Sequence, residues 1–301
     1  MMKVLITGGT GFIGSALTRN LTEQGFDVTV LSRNPDAVEK ICGLGVNALD
    51  NLNQLNPEDT YQVIINLAGA PIFDAHWSDA RKQVIRDSRI NLTKQLVVCM
   101  ARMTVKPDLL ISGSAIGYYG DQGDVVLTEQ SVTRSDFSQQ LCADWENEAK
   151  KAEQIGVRVC LIRTGLVLAD GGGLLQRMVL PFRWGLGGRL GSGRHWMSWI
   201  HRQDWIAIAI KMITDSSMQG AYNATAPNPV TNCEFTRTLA HCIKRPAFIP
   251  VPAWLLKILL GEMSGLVLGS QRVLPERLLA QGFNFKYTDL SSALNQALRS
   301  L

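Results

Sequence analysis

A glycine-rich segment near the N-terminus has the spacing of a phosphate-binding turn. Three glycines recur at every third position, directly after the predicted strand Lys3–Thr7 and at the start of a helical pattern. In such a turn one glycine allows the bend, one lets the backbone approach a pyrophosphate, and one permits close helix packing, while the helix N-terminus offers free N–H groups. The strand–loop–helix context favours dinucleotide binding over a purely structural turn. The residues predicted to bind are Gly8, Thr10, Gly11, Phe12, Ile13 and Gly14.

The end of the second predicted strand indicates which dinucleotide is bound. A carboxylate there accepts a hydrogen bond from the ribose 2′-OH of NAD, whereas a guanidinium accommodates the 2′-phosphate of NADP. This strand ends in Leu31-Ser32-Arg33-Asn34, and Asp36 comes only after Pro35. We therefore expect Arg33 and Asn34 to lie at the cofactor and predict NADP. The alternative is that Arg33 is a solvated surface side chain.

Composition limits the class of protein and its partners. The chain has 301 residues, of which 46% are hydrophobic, and its net charge of +4 is too small for a nucleic-acid footprint. None of the six cysteines falls in a C-x-x-C spacing, which favours a reducing compartment. No stretch approaches the roughly 20 apolar residues of a membrane span. We expect a cytoplasmic protein with a small-molecule substrate and without a nucleic-acid or membrane partner.

The alternation of β-branched runs and helical patterns predicts an α/β fold, a Rossmann-type doubly wound parallel sheet. After Arg163 the chain becomes loop-rich, and a smaller C-terminal α+β substrate region begins. We predict an NADP-binding domain at 1–165 and a substrate region at 166–301, with 197–225 returning to the first domain. The predicted strands are Lys3–Thr7, Val28–Ser32, Val63–Leu67, Leu109–Ser112 and Val157–Arg163, and the predicted helices include Gly14–Gln24, Asp79–Met103, Asp136–Gln154, Asp204–Thr214, Asn232–Ile243 and an amphipathic segment at Ala253–Leu268.

Five segments in a fixed order carry a family resemblance that covers nearly the whole chain. They are Thr7–Gly14, Asn66–Gly69, Ser112–Gly120, Trp199–Asp204 and Tyr222–Pro227. With them the chain resembles an atypical extended short-chain dehydrogenase/reductase, in the group of NAD-dependent epimerase/dehydratase-like proteins that have a C-terminal domain of unknown function.

The resemblance implies further binding residues. Leu67, Ala68 and Gly69 would lie along the cofactor, where small residues let the backbone come close. Arg89 and Asn91 match positions that reach the cofactor, and the alternative for both is an ordinary polar helix face. His201 and Asp204 would anchor the start of a helix. No third ligand stands near this pair, so we expect no metal site.

The catalytic pair of this family is missing. Members with standard chemistry place a Tyr four residues before a Lys that lowers the Tyr pKa. None of the five tyrosines has Lys at that distance, and the helix that should hold the pair contains neither residue type. Ser114 does stand at the family's catalytic Ser or Thr position, with a strand-end cap as the alternative. Tyr118 and Tyr119 follow in one loop, and we predict that Tyr118 donates the proton while Ser114 orients the substrate.

A basic, aromatic stretch at 183–199 suggests the charge of the substrate. It contains three arginines, one histidine and three tryptophans among glycines, and no Asp or Glu. Guanidinium groups bind carboxylate or phosphate, and indole faces stack on rings, so we predict that Arg189, Arg194 and Trp199 contact an anionic, ring-containing substrate. The alternative is a packing loop with core tryptophans and solvated arginines.

Two functions from different classes remain open. The first is an NADP(H)-dependent oxidoreductase, or an epimerase-like enzyme, that acts on a small, anionic carbonyl or sugar-like substrate with a rearranged proton donor. The second is a non-catalytic NADP(H)-binding sensor or regulatory protein, for which loss of the Tyr-Lys pair is expected. The retained Ser114 and the aromatic second region favour the enzyme.

The first testable expectation concerns Arg33. We expect NADPH to bind more tightly than NADH, and Arg33→Ala to remove most of the difference, because only NADPH has a 2′-phosphate for the guanidinium. Calorimetric titration of both cofactors measures this, and equal affinities in the unchanged protein would reject the assignment.

Overall fold

The computed structural model describes residues 1–299. The strands are β1 (Lys3–Thr7), β2 (Asp27–Leu31), β3 (Asn47–Leu49), β4 (Val63–Asn66), β5 (Leu109–Ala115), β6 (Val126–Leu127), β7 (Arg158–Thr164), β8 (Leu166–Leu168), β9 (Trp196–Met197), β10 (Trp199–His201), β11 (Gly220–Ala224), β12 (Val230–Thr231) and β13 (Arg272–Val273). The α-helices are α1 (Gly14–Glu23), α2 (Val38–Cys42), α3 (Asp79–Asp87), α4 (Ile90–Arg102), α5 (Phe137–Lys150), α6 (Gly173–Arg183), α7 (Arg202–Thr214), α8 (Asn232–Ile243), α9 (Ala253–Leu260), α10 (Ser264–Leu268), α11 (Glu276–Ala280) and α12 (Leu290–Ala297).

The central sheet has seven strands in the order β11-β7-β5-β4-β1-β2-β3, and all neighbouring pairs are parallel. The strand order reverses direction between β1 and β4, where a doubly wound sheet binds its ligand at the carboxyl ends of the strands. Apolar side chains of α1 and α7 cover one face, and those of α4 and α5 cover the other. The predicted α/β fold class is confirmed.

The long helix predicted over Asp79–Met103 is two helices. The helix is interrupted at Ser88 and Arg89, which lie between α3 and α4. Ser88 Oγ donates to the Ile85 carbonyl at 2.9 Å and accepts from the backbone N–H of Ala70 at 2.9 Å. The break is therefore stabilised by a loop distant in sequence, which helical periodicity does not report.

Other boundaries differ in smaller ways. The amphipathic segment over Ala253–Leu268 is divided into α9 and α10 because Gly261 has a φ of +57°, a left-handed conformation that favours glycine. Strand β3 was not predicted, since it is a short, largely exposed edge strand without an apolar pattern.

The chain beyond β8 forms a second apolar core and also rejoins the central sheet. The second core includes buried side chains of α6, α8 and α12 together with Trp199. Helix α7 packs on the sheet, and β11 pairs with β7 from Gly220 opposite Cys160 to Ala224 opposite Thr164. The segment 197–225 thus contributes β11, the edge strand of the central sheet next to β7.

His201 and Asp204 have separate structural roles at the start of α7. His201 Nδ1 accepts a hydrogen bond from the backbone N–H of Gln203 at 3.2 Å and so caps the helix. The Asp204 carboxylate accepts from the backbone N–H groups of Lys286 and Tyr287 at 2.8 and 3.0 Å. Burial raises the pKa of Asp204, and these two hydrogen bonds act in the opposite direction. Asp204 therefore fastens the C-terminal segment to α7.

Replacing Asp204 with Ala is expected to lower the free energy of unfolding by about 3 kcal/mol, because hydrogen bonds to a charged group contribute roughly 1.5–3 kcal/mol each. Urea denaturation measures the change. Asp36→Ala, at an exposed position, is the control and is expected to change stability by less than about 0.5 kcal/mol. Equal stability of the two variants would contradict the fastening role of Asp204.

Candidate functional site

The glycine turn after β1 is compact in a way that only glycine allows. Gly8 has a φ of +71°, and a Cβ there would lie 2.7 Å from the carbonyl carbon of Leu67. A Cβ on Gly14 would lie 2.1 Å from the carbonyl oxygen of Gly8. Helix α1, which follows, has no acidic residue in its first turn and no capping side chain. Its N-terminus therefore keeps N–H groups and a positive dipole available for a phosphate.

Phe12 joins this turn to the segment that precedes α6. A Cβ on Gly172 or Gly173 would lie 2.7 or 2.9 Å from the Phe12 ring. The Arg202 guanidinium lies 5.1 Å from the centre of the same ring and pairs with the Asp170 carboxylate at 2.7 Å. The glycines at 172 and 173 have no side chains, and this is what admits the phenyl ring.

Arg33 and Asn34 lie two and three residues beyond the carboxyl end of β2 and are both exposed. Thr7 pairs with Leu31, so the glycine turn and the Arg33 segment leave the sheet at the same level. Within residues 1–299 the Arg33 guanidinium has no hydrogen-bond or ion-pair partner. Its charge is therefore available to a ligand at this edge.

The segment after β4 runs beside the glycine turn. The backbone N–H of Leu67 donates to the Thr7 carbonyl at 3.0 Å, and that of Ala68 donates to Thr7 Oγ1 at 3.3 Å. Gly69 lies against Arg89, since a Cβ there would approach the guanidinium carbon to 2.7 Å. Asn91, in contrast, is exposed and donates to the Asp87 carboxylate at 2.7 Å. Leu67 and Ala68 thus lie beside the glycine turn and Arg89 lies against Gly69, whereas Asn91 lies on the outer face of α4.

A buried ion pair lies at the carboxyl ends of β5 and β7. Arg163 donates to Glu146 through Nε at 2.8 Å and through Nη2 at 2.9 Å. Ser114 Oγ donates to the same carboxylate at 2.7 Å. The three residues are 5% exposed or less. Glu146 and Arg163 are not among the predicted site residues, although Glu146 shares the buried face of α5 with Leu141, Cys142, Trp145 and Ala149.

The two neighbouring tyrosines have different environments. Tyr119 is fully buried, donates to Asn223 Oδ1 at 2.6 Å and accepts from Arg163 at 3.0 Å. Burial raises the pKa of Tyr119 to about 12, although Arg163 acts in the opposite direction. The half-buried Tyr118 ring stacks on the Arg163 guanidinium at 3.5 Å, and its hydroxyl has no hydrogen-bond partner within residues 1–299. Only the Tyr118 hydroxyl is therefore available to a ligand.

Helix α5 presents Ser138 and Cys142 to the loop that carries these tyrosines. A Cβ on Gly117 would lie 3.2 Å from Ser138 Cβ and 3.7 Å from Cys142 Sγ. Burial raises the pKa of the Cys142 thiol to about 12, which keeps it protonated near neutral pH. Positive charge near Cys142 and Glu146 comes from Arg89 and Arg163, where the standard catalytic pair would supply a lysine.

The basic stretch at 183–199 does not act as one surface. Arg189 and Arg194 are exposed, and Arg189 donates to the Ser192 carbonyl at 3.3 Å. Trp199 is 0% exposed, and its indole donates to the Asn228 carbonyl at 3.1 Å. The prediction that Trp199 contacts a substrate is wrong. Side chains alternate between the two faces of β10, and the Trp199 indole lies on the face that packs into the second core, where a ligand does not reach it.

The turn after β1 and the doubly wound sheet are features of the dinucleotide-binding fold of extended short-chain dehydrogenases/reductases. The model of the NAD dependent epimerase/dehydratase family matches residues 4–225, and that of a domain of unknown function, DUF1731, matches residues 251–297. The chain belongs to the NAD dependent epimerase/dehydratase family. Within the described residues, no helix has the length and apolarity to cross a membrane and no cluster of metal-ligating side chains is found.

Relatives span the whole chain. Epimerase family protein YfhF of Bacillus subtilis is 39% identical over 299 residues, which cover 99% of this chain and 98% of that protein. The chloroplastic epimerase family protein SDR39U1 homolog of Arabidopsis thaliana is 38% identical over 304 residues, 99% of this chain and 87% of that protein.

Solved structures agree with these relatives. The human epimerase family protein SDR39U1 (isoform 2), solved with NADPH, superposes with a TM-score of 0.90 at 31% identity, with 100% of both chains covered. UDP-glucuronic acid 4-epimerase from Bacillus cereus, solved with NAD, has a TM-score of 0.78 at 14% identity and covers 98% of this chain and 95% of that one; it shares the fold alone.

Removing Arg163 tests the buried ion pair. Arg163→Met is expected to lower the free energy of unfolding by about 3–5 kcal/mol near neutral pH, because Glu146 is left as an unpaired buried charge. Protonation of Glu146 removes the unpaired charge, so the stability of Arg163→Met is expected to recover as the pH falls and to be lost as it rises.

Urea denaturation at about pH 5 and about pH 7.5 measures both effects. The double variant Glu146→Gln/Arg163→Met removes the stranded charge and is expected to be more stable than Arg163→Met near neutral pH. A loss of stability that is independent of pH in the single variant would contradict the assignment.

Proposed function

We propose that the chain is an NADP(H)-dependent oxidoreductase that acts on a small carbonyl or sugar-like substrate, with Tyr118 in place of the missing Tyr-Lys pair. The observation that carries the proposal is the contrast between the two tyrosines. Tyr119 has its hydroxyl bonded on both sides, whereas the hydroxyl of Tyr118, in the turn that follows Ser114 and β5, has no hydrogen-bond partner within residues 1–299. The carboxyl end of β5 is on the edge where such sheets bind ligands.

The residues at this edge fit NADP(H). The cradle around Gly8 and Gly14 excludes any Cβ, and the uncapped N-terminus of α1 suits a pyrophosphate. Arg33 and Asn34 would hold the 2′-phosphate, since no carboxylate stands at the end of β2. Leu67, Ala68 and Gly69 would lie along the cofactor. The human relative, solved with NADPH, supports this choice. When bound, NADPH supplies a hydride to a carbonyl carbon.

Tyr118 would give its proton to the carbonyl oxygen. The phenolate that remains carries negative charge, and the Arg163 guanidinium stacked on the ring at 3.5 Å stabilises that charge. Arg163 stays in place because Glu146 holds it through two hydrogen bonds. The proton-donor role thus needs no lysine.

Ser114 would orient the alcohol form of the substrate. Its hydroxyl proton is donated to Glu146, so the Ser114 oxygen offers lone pairs and accepts hydrogen bonds. An alcohol O–H is a donor and suits this oxygen, whereas a carbonyl is an acceptor and does not. This refines the expectation that Ser114 orients the substrate.

A second candidate function is a non-catalytic NADP(H)-binding protein. The observation in its favour is the face of α5 next to Ser114, which carries Ser138 and a protonated Cys142 where an enzyme of this family is expected to carry Tyr and Lys. A protein that binds NADPH tightly but oxidises it with no compound of a broad carbonyl panel would fit this candidate.

Tyr118→Phe tests the proton donor. With a substrate found by following NADPH oxidation over that panel, turnover is expected to fall about 10²–10⁴-fold, the scale of a lost acid–base catalyst. NADPH affinity is expected to stay unchanged, because the hydroxyl does not hold the cofactor. Tyr61→Phe, which removes a hydroxyl bonded only to Thr29 at 3.4 Å, is the matched control. Unchanged turnover in Tyr118→Phe would remove Tyr118 from the mechanism.

A further inference from the structure

Large apolar side chains are exposed together around the ends of α6 and α8. Two of the three exposed Trp and Phe side chains of residues 1–299 are Phe248, which is 86% exposed, and Trp184, which is 75% exposed. Leu180, Leu186 and Ile249, close to them in sequence, are exposed as well. Single exposed apolar side chains are common on soluble proteins, but a group of them marks a surface that binds something.

Contacts between two segments of the chain bring these side chains together. The backbone N–H of Leu186 donates to the Pro181 carbonyl at 2.9 Å, which folds the chain back on the end of α6. The N–H of Ile249 donates to the Gly187 carbonyl at 3.2 Å. The ends of α6 and α8 also line one cavity of about 410 Å³. The exposed side chains of both segments therefore lie in one region of the molecule.

The same two segments, 180–186 and 237–250, carry charge of a single sign. They contain no Asp or Glu, and their four positive charges equal the net charge of +4 of the whole chain. The four cations are Arg183, Arg237, Lys244 and Arg245. We call the exposed residues of the two segments the basic apolar surface.

An open groove of about 610 Å³ lies on this surface, where α8 ends. Its charged lining consists of Arg237, His241, Lys244 and Arg245, and Phe248 lines it as well. Within residues 1–299 none of its Arg and Lys side chains forms an ion pair with a carboxylate. Lys244 has a φ of +56°, a left-handed conformation in which glycine usually ends a helix, so a cation stands where the backbone favours a residue without a side chain. The groove thus offers positive charge beside an exposed aromatic ring.

We propose that the basic apolar surface binds the face of a membrane that contains anionic lipid. Proteins that lie on a membrane place Trp, Phe and Leu side chains among the headgroups and Lys or Arg side chains against anionic lipid. Trp184, Leu186 and Phe248 would enter the lipid interface, and the cations of the groove would contact lipid phosphates. The expectation of no membrane partner rested on the absence of a spanning segment, which does not bear on attachment to one membrane face.

Charge and shape favour lipid over a protein as the occupant. In a symmetric dimer the same cations of two copies would face each other, and the two segments contain no acidic residue to compensate them. A different protein would have to supply both acidic groups and pockets for the projecting Phe248 and Trp184 side chains. A lipid surface accepts projecting side chains without a matching shape.

Cosedimentation with lipid vesicles tests the proposal, and neither the surface nor this test depends on the proposed catalysis. The unchanged protein is expected to bind vesicles of phosphatidylcholine mixed with phosphatidylglycerol. Vesicles of phosphatidylcholine alone are expected to bind it at least about tenfold more weakly, because only the mixture is anionic. Raising the salt from about 0.1 M to about 1 M is expected to release most of the bound protein, since the screening length falls from about 10 Å to about 3 Å.

A charge-reversal variant tests the cations of the groove. Arg237→Glu/Arg245→Glu is expected to weaken binding to anionic vesicles about thirtyfold or more, since each cation near such a surface contributes about fivefold. Lys94→Glu/Arg102→Glu makes the same change of net charge at exposed positions of α4 and is expected to bind as the unchanged protein does.

A second variant tests the apolar contact. Phe248→Ser is expected to weaken binding to anionic vesicles about tenfold, because the ring no longer leaves water on binding. Val132→Ser, at an 80% exposed position outside the surface, is the matched control. All of these substitutions are at exposed positions, so the melting temperatures of the variants are expected to match that of the unchanged protein.

Tryptophan fluorescence gives a readout of insertion that does not depend on affinity. Lipid with brominated acyl chains is expected to quench the fluorescence of the vesicle-bound protein, because the Trp184 ring enters the interface. Trp184→Phe keeps an aromatic ring there and is expected to retain binding but to lose part of this quenching.

Four results would overturn the proposal. The first is failure of the unchanged protein to bind anionic vesicles, which would leave a protein as the occupant. The second is equal binding to neutral and anionic vesicles, and the third is unchanged binding in both surface variants. The fourth is self-association of the protein, measured by light scattering, that Phe248→Ser abolishes, which would assign the surface to a second copy of the chain.

Discussion

The buried ion pair between Glu146 and Arg163 is the interaction on which the candidate site depends. It joins α5 to the end of β7, orients the Ser114 hydroxyl on β5, and places Arg163 against both tyrosines. A guanidinium and a carboxylate this deeply buried each need the other, because neither charge is solvated. The pair therefore fixes three elements of the sheet edge at once, and the environment of Tyr118 follows from it.

Arginine placement explains how this chain differs from a family member with the standard catalytic pair. A family member with standard chemistry is expected to carry one Tyr and one Lys on α5. Here the face of α5 against Gly117 holds Ser138 and Cys142. Positive charge enters instead from β7 through Arg163 and from the α3–α4 junction through Arg89. The same edge of the sheet thus carries a phenol and a fixed cation on different elements, and the proposed carbonyl reduction would use both.

The family relationship and the local geometry support different parts of the conclusion. Matches over 4–225 and 251–297 establish the family and its C-terminal domain. The glycine cradle and the exposed Arg33 are the local features of this chain that support the proposal of NADP(H) as the cofactor.

The sequence by itself determined the class of fold, the glycine turn and the absence of a carboxylate directly after the second strand, because these depend on local patterns: apolar runs, glycine spacing and residue type. Tertiary structure alone decided the rest. It broke the helix at Ser88 through a bond to the loop at Ala70, turned Trp199 into the second core, and brought Glu146, Arg163 and Ser114 together. Burial and charge compensation depend on which distant side chains meet, so periodicity along one element carries no record of them.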